Sequence, residues 1–203
     1  MTTRDQQRHA ALTALYARIA GVPGDIVELG VASGESIRIW LQLVAADTTH
    51  RRTVFGFDTF AGFPSFAPED GPEAPTIGKR VGGETELRVR PLRADEVNAH
   101  GAQLIAGDIT KTLPLALSSD MIGPVALVFC DADTYAPTKT ALDVLWPRLS
   151  PGGLFVFDEY GHLAWPGETL AVDQWVECQP WDVKLERLTG DYAPTACITK
   201  PIK

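Results

Sequence analysis

Cysteine is scarce in this sequence: Cys130, Cys178 and Cys197 are far apart in a chain of 203 residues. An odd, scattered set excludes a disulfide framework and a zinc knuckle, both of which need closely spaced thiols. Cys130 reads as a small apolar residue ending a buried strand, because no histidine or basic partner lies near it in sequence. Long apolar runs are also missing. None approaches the roughly 20 residues that cross a bilayer, and the opening MTTRDQQRHA lacks the apolar heart of a secretory signal. The expectation is a cytoplasmic protein with no membrane contact. Positive charge is short too: Lys+Arg total 18 against 26 Asp+Glu, a net charge of -8. Nothing here forms the electrostatic footprint of a nucleic-acid binder, so that class of partner is excluded.

What the sequence does have is enough apolar material, 45% of residues, to fill the core of one domain spanning 1–203. Residues 5–20 place Leu12, Leu15, Tyr16 and Ile19 at helical spacing, an amphipathic helix ended by Gly21 and Pro23. Short apolar runs follow, each closed by an acid or a glycine: DIVELGVA, TVFGFDTF, AQLIAGD, PVALVFCDAD and PGGLFVFDEY. They read as buried parallel strands. Helical stretches near 34–46, 110–119, 136–148 and 168–177 alternate with them, so the predicted fold is α/β and doubly wound, a mostly parallel sheet with helices on both faces. At the C-terminus, DVKLERLTG and APTACITKP are joined by Gly190-Asp191 with no room for a helix, and an antiparallel hairpin is expected.

Residues 61–100 differ in composition, rich in Gly, Pro and charge, with a weak helical signal only at RADEVNAH. A long polar insertion in a compact domain is a functional loop or a plain surface loop. A lid over a substrate site is the reading favoured.

The chemistry-bearing motifs lie at predicted strand ends. In DIVELGVASGES a strand carries Glu28 and a turn carries Gly30 and Gly34 before a helix begins. Ligands of open parallel sheets bind at such carboxyl ends. The dinucleotide fingerprint fails here, since Ala32 and Glu35 occupy its second and third glycine positions. Glu28 and Glu35 would repel a pyrophosphate and suit a cationic cofactor such as S-adenosylmethionine; a turn made for tight packing is the plain alternative. Asp58 ends the second strand, where a carboxylate can accept from both ribose hydroxyls or cap a helix. Asp108 follows the third, placed to contact an adenine amino group or to cap the helix near Thr110. Asp131 and Asp133 follow the fourth strand, and Asp158-Glu159 the fifth. Carboxylates crowded on one edge call for a hard divalent ion such as Mg²⁺, which could hold a substrate hydroxyl and lower its pKa, unless they are solvated loop acids.

VPGDIVELGVASGES, FGFDTFAGFP, GDITKTLP and DADTYAPTKTALDVLWPRLSPGGLFVFDEYG together resemble the macrocin O-methyltransferase (TylF-like) family, class I methyltransferases that methylate hydroxyls of glycosylated natural products. The resemblance covers most of 22–177 and implies a Rossmann-like sheet of seven strands with an antiparallel last strand. It implies S-adenosylmethionine at Glu28, Gly30, Ser33, Ser36, Asp58, Asp108 and Asp131, and Mg²⁺ on Asp131, Asp158 and Glu159. The acidic pair usually written Asp-Asp in the family is Asp-Glu here. The implied activity is O-methylation of a hydroxylated small molecule, often in antibiotic biosynthesis; a homodimer is one assembly open to the chain. The lysine base of catechol-type relatives is replaced by Asp133, Thr134 and Tyr135 in the matching stretch, so Asp131 and His162 are the base candidates. Two rivals stay open: a metal-independent small-molecule methyltransferase, and a catalytically silent partner that keeps the fold.

Overall fold

A computed structural model describes residues 3–85, 102–180, 182–190 and 194–202. The first helix, α1 (Arg4–Arg18), opens on a capping box in which the Thr3 hydroxyl accepts from the Gln6 N–H and the Gln6 side chain accepts from the Thr3 N–H. Four parallel strand–helix units follow. Strand β1 (Asp25–Leu29) leads to α2 (Glu35–Ala46), and β2 (Val54–Asp58) to α3 (Ala74–Thr85). Next come β3 (Ala102–Ala106) with α4 (Ile109–Ser118) and β4 (Val125–Cys130) with α5 (Tyr135–Leu145). Strand β5 (Leu149–Phe157), helix α6 (Pro166–Glu177) and the short strands β6 (Leu185–Arg187) and β7 (Ala196–Thr199) complete the chain. No helix among the described residues is long and apolar enough to cross a membrane.

The seven strands run in the order β3-β2-β1-β4-β5-β7-β6. The order reverses between β1 and β4, whose residues Val27 and Val128 stand in register. That reversal creates a crevice at the carboxyl ends of both strands. The expected hairpin is present, with Glu186 opposite Cys197, and β7 inserts antiparallel between β5 and β6. Its carbonyls and N–H groups thus serve two neighbours, leaving the three-residue β6 as one edge of the sheet and β3 as the other.

Strand alternation divides the core. Val27, Phe55, Phe57, Val128, Cys130, Phe155 and Phe157 face α4, α5 and α6. Ile26, Val54, Leu127, Phe129 and Val156 face α1 and α2, where Leu12, Leu15 and Ile19 meet Trp40. Burial on both faces is why these strands read as continuous apolar runs.

The 61–100 insertion departs from the reading of a largely unstructured polar segment. Its described part holds a helical turn at Pro68–Asp70 and all of α3. Gly78, Gly82 and Gly83 hide that helix in the sequence, since each glycine costs about 1 kcal/mol relative to alanine in a helix interior. Packing outweighs propensity: a Cβ on Gly78 would come within 2.5 Å of the Phe66 ring. Phe66 stacks near Phe63, and Phe63 near Trp165, each pair 5.3 Å between centroids. Buried Asp70 clasps the segment to the body, its two oxygens accepting from the N–H groups of Ala67 and Tyr135 at 2.7 Å. RADEVNAH lies outside the described residues.

Candidate active site

The crevice begins at Gly30, whose φ of +85° is left-handed. A Cβ there would overlap the carbonyl of Asp131, so glycine is needed for β1 and β4 to converge. Glu28, two residues earlier, is fully buried and its Oε2 has no hydrogen-bond partner. Burial pushes its pKa well above the carboxylate range; Arg8 opposes the shift, and Asp158 and Asp58 add to it. A buried acid with an unused oxygen suits a cationic or N–H-bearing group.

Asp58 shapes the turn rather than standing free at a strand tip. Its Oδ2 accepts from the N–H groups of Val31 and Ala32, both at 2.8 Å, and its Oδ1 from Phe60 at 2.7 Å. Ala32 and Phe60 are left-handed, with φ of +43° and +51°. Such conformations are sparsely populated outside glycine and cluster at functional sites. The Ser33 carbonyl accepts from Arg38. Helix α2 starts after Gly34 without a side-chain cap, and buried Ser36 lies in its first turn.

Asp108 is the N-cap of α4: its Oδ1 accepts from the N–H and the hydroxyl of Thr110. Those bonds, joined by Lys111 at 3.2 Å, hold its pKa below the usual value. Of the two roles open for Asp108, the geometry shows the cap.

The strand-end acids separate into two groups. Asp131, Asp133 and Glu159 each bring one oxygen within 4.8 Å of the others. Asp158 faces Arg8, whose Nη1 contacts its two oxygens at 3.1 and 3.2 Å, while Nη2 reaches Asp131 Oδ2 at 2.7 Å. Burial, then repulsion from Asp158, raises the Asp131 pKa. Asp133 is raised by burial and by Glu159, and Glu159 by burial and by Asp158. Asp133 is also left-handed, with φ of +60°. Three hard oxygen donors that repel one another fit a divalent cation such as Mg²⁺. Of the expected set, Asp131 and Glu159 gather with Asp133, while Asp158 lies against Arg8, which also reaches Asp131.

His162 lies on the rim, its side chain 55% exposed and its Nδ1 3.5 Å from Glu159 Oε2. Glu168, in the first turn of α6, is fully buried. Its Oε1 accepts from the Glu159 N–H at 2.8 Å, and its Oε2 has no partner. Burial lifts its pKa well above normal, against the pull of that N–H.

Sequence reading missed Arg8, Asp70 and Glu168. For Arg8 a signal existed: it shares the helical stripe of Leu12, Leu15 and Ile19, a charge where the periodicity calls for an apolar residue. Glu168 and Asp70 looked like ordinary acids of a helix start and a loop, and only the packing around them makes them distinct.

The strand order, the turn after β1 and the acids at neighbouring strand ends define a class I methyltransferase fold. Residues 1–190 match the macrocin O-methyltransferase (TylF) family, and the chain belongs to it. A 4′-O-methyltransferase of Streptomyces olivaceus that acts on a rhamnosyl-bearing tetracenomycin is 31% identical over 149 residues, 69% of this chain and 54% of that protein. The mycinamicin III 3″-O-methyltransferase of Micromonospora griseorubida is 29% identical over 147 residues, 69% of this chain and 56% of its own. The calicheamicin methyltransferase CalS11 superposes with a TM-score of 0.73 at 30% identity, covering 94% of this chain and 77% of that one. The chain thus spans about half the length of the curated relatives it matches.

Proposed function

We propose that this protein transfers the methyl group of S-adenosylmethionine to a hydroxyl of a small natural product, on its sugar. The observation carrying this reading is the acid-lined crevice between β1 and β4, where buried Glu28 keeps an unpartnered oxygen beside the Gly30 turn. A pyrophosphate cofactor would be repelled there, and a sulfonium with an ammonium would be attracted. The names of two relatives, the tetracenomycin enzyme and a TDP-rhamnose 3′-O-methyltransferase, support a sugar acceptor.

In this reading Glu28 and Asp131 receive the ammonium of the cofactor and Ser36 its carboxylate. Asp58 fixes the turn on which the nucleoside rests, with Ser33 on that turn and Asp108 flanking the base. Asp131, Asp133 and Glu159 would hold Mg²⁺, which would supply the positive charge that acidifies an acceptor hydroxyl. His162 takes the hydroxyl proton. Its exposure lets it pass that proton to water. The freed oxygen lone pair forms a bond to the methyl carbon as the carbon–sulfur bond breaks. The bonding pair returns to sulfur, leaving neutral S-adenosylhomocysteine. Orientation and fixed charge supply most of the acceleration.

Calorimetric titration with S-adenosylhomocysteine, with and without Mg²⁺, tests the reading. Micromolar binding of S-adenosylhomocysteine and indifference to NADH are expected. Binding of NADH with no response to S-adenosylhomocysteine would overturn the cofactor class. Turnover undiminished by a chelator would remove the ion from the mechanism.

A further inference from the structure

Arg8 is the first buried residue of α1. Its guanidinium makes five hydrogen-bond contacts. Nε and Nη2 reach Ser36 Oγ at 3.1 and 2.9 Å, Nη1 reaches both Asp158 oxygens, and Nη2 reaches Asp131 Oδ2. The guanidinium carbon lies 5.5 Å from the centre of the Phe129 ring. One helical turn earlier, the charge of Arg4 works against the rise of the Glu159 pKa that burial causes. Residues four apart share a helix face, so α1 presents two cations to the acidic edge.

A planar guanidinium covers the oxygens it binds. Both oxygens of Asp158 and one of Asp131 are covered in this way. An ammonium or metal ion approaching those oxygens meets a resident positive charge in the same place. Two cations sharing one carboxylate oxygen repel, and the stronger or more highly charged one prevails. The side chain can leave without dismantling the helix, because Leu12, Leu15, Tyr16 and Ile19 hold the rest of α1 to α2 and the sheet. Its long stem lets the head turn to water.

We propose that Arg8 is a built-in counter-cation which an entering metal ion or cofactor ammonium displaces from Asp131, so that ligand binding loosens the start of α1. This rests on the methyl-transfer reading of the crevice for its choice of ligands. By linkage, whatever weakens the Arg8 contacts strengthens ligand binding by the same factor.

The test uses the full chain and two variants. Arg8→Met keeps the apolar stem and removes the charge, and Arg8→Lys keeps the charge. Mn²⁺ affinity is read by electron paramagnetic resonance, S-adenosylhomocysteine affinity by calorimetry, and amide exchange over residues 7–12 by mass spectrometry. Expected are Mn²⁺ binding at least about tenfold tighter in Arg8→Met than in wild type, Arg8→Lys close to wild type, and faster exchange at 7–12 in wild type under saturating Mn²⁺. Equal or weaker Mn²⁺ binding by Arg8→Met overturns the proposal and makes Arg8 a strut. Should Arg8→Met not fold, unchanged exchange at 7–12 in Mn²⁺-saturated wild type overturns it, and faster exchange upholds it. Should wild type bind no Mn²⁺, a gain of binding in Arg8→Met upholds it and a second failure overturns it. Failure of the methyl-transfer reading shows separately, as no S-adenosylhomocysteine binding by any of the three proteins.

Discussion

Asp58→Ala offers the sharpest separation of folding from binding. The carboxylate accepts three backbone N–H groups, from Val31, Ala32 and Phe60, at 2.7–2.8 Å. Charge-assisted bonds contribute about 1.5–3 kcal/mol each, and partial exposure of Asp58 places them at the low end, a gross loss of about 4–5 kcal/mol. Opposing this, Ala32 and Phe60 are released from left-handed backbone, which returns about 1–2 kcal/mol each at the lower end of such strain. The net loss of folding stability is then only about 0–3 kcal/mol, a fall in thermal midpoint of at most about 12 °C for a chain of this size. Binding does not share the compensation, because the relaxed turn must be driven back into its strained shape around the cofactor. A cost of about 3 kcal/mol corresponds to roughly a hundredfold weaker affinity. Differential scanning fluorimetry and calorimetric titration with S-adenosylhomocysteine measure the two effects side by side. A dissociation constant within threefold of wild type would refute the reasoning, whatever happens to the midpoint.

Glu168→Gln keeps an acceptor for the Glu159 N–H and removes a charge that burial disfavours. A carboxyl raised in the folded state contributes stability below its unfolded pKa and loses it as pH rises toward the folded value. The variant should therefore match wild type near pH 4 and equal or exceed it above neutrality, by up to about 1–3 kcal/mol; denaturant midpoints across that range that show the reverse order would contradict it. Asp70→Ala leaves the half-buried N–H groups of Ala67 and Tyr135 without their acceptor, a cost of about 2–4 kcal/mol. Limited proteolysis should then cut within residues 60–79 far faster than in wild type, and an unchanged cleavage pattern would show that the clasp does not hold this segment.

The sequence by itself determined the layered fold, because a strand buried on both faces must be apolar along its whole length. The runs ending in Glu28, Asp58, Cys130 and Phe157 therefore announce themselves, as does the shared edge that carries their acids. Local rules also located α1, α2 and α4 to within a residue or two, since caps and periodicity are properties of neighbours in the chain. Helix α3 was not legible: its glycines argue against a helix, and the reason for Gly78, the Phe66 ring, is a tertiary contact. Pairing among the acids was equally hidden. Asp158 and Asp133 look equivalent as strand-end acids, yet Arg8, 150 residues from Asp158 in sequence, takes one and leaves the other. Composition and spacing determine which charges share an edge. Only the folded chain decides which of them meets a cation, because that depends on distances of a few ångströms between segments remote in sequence.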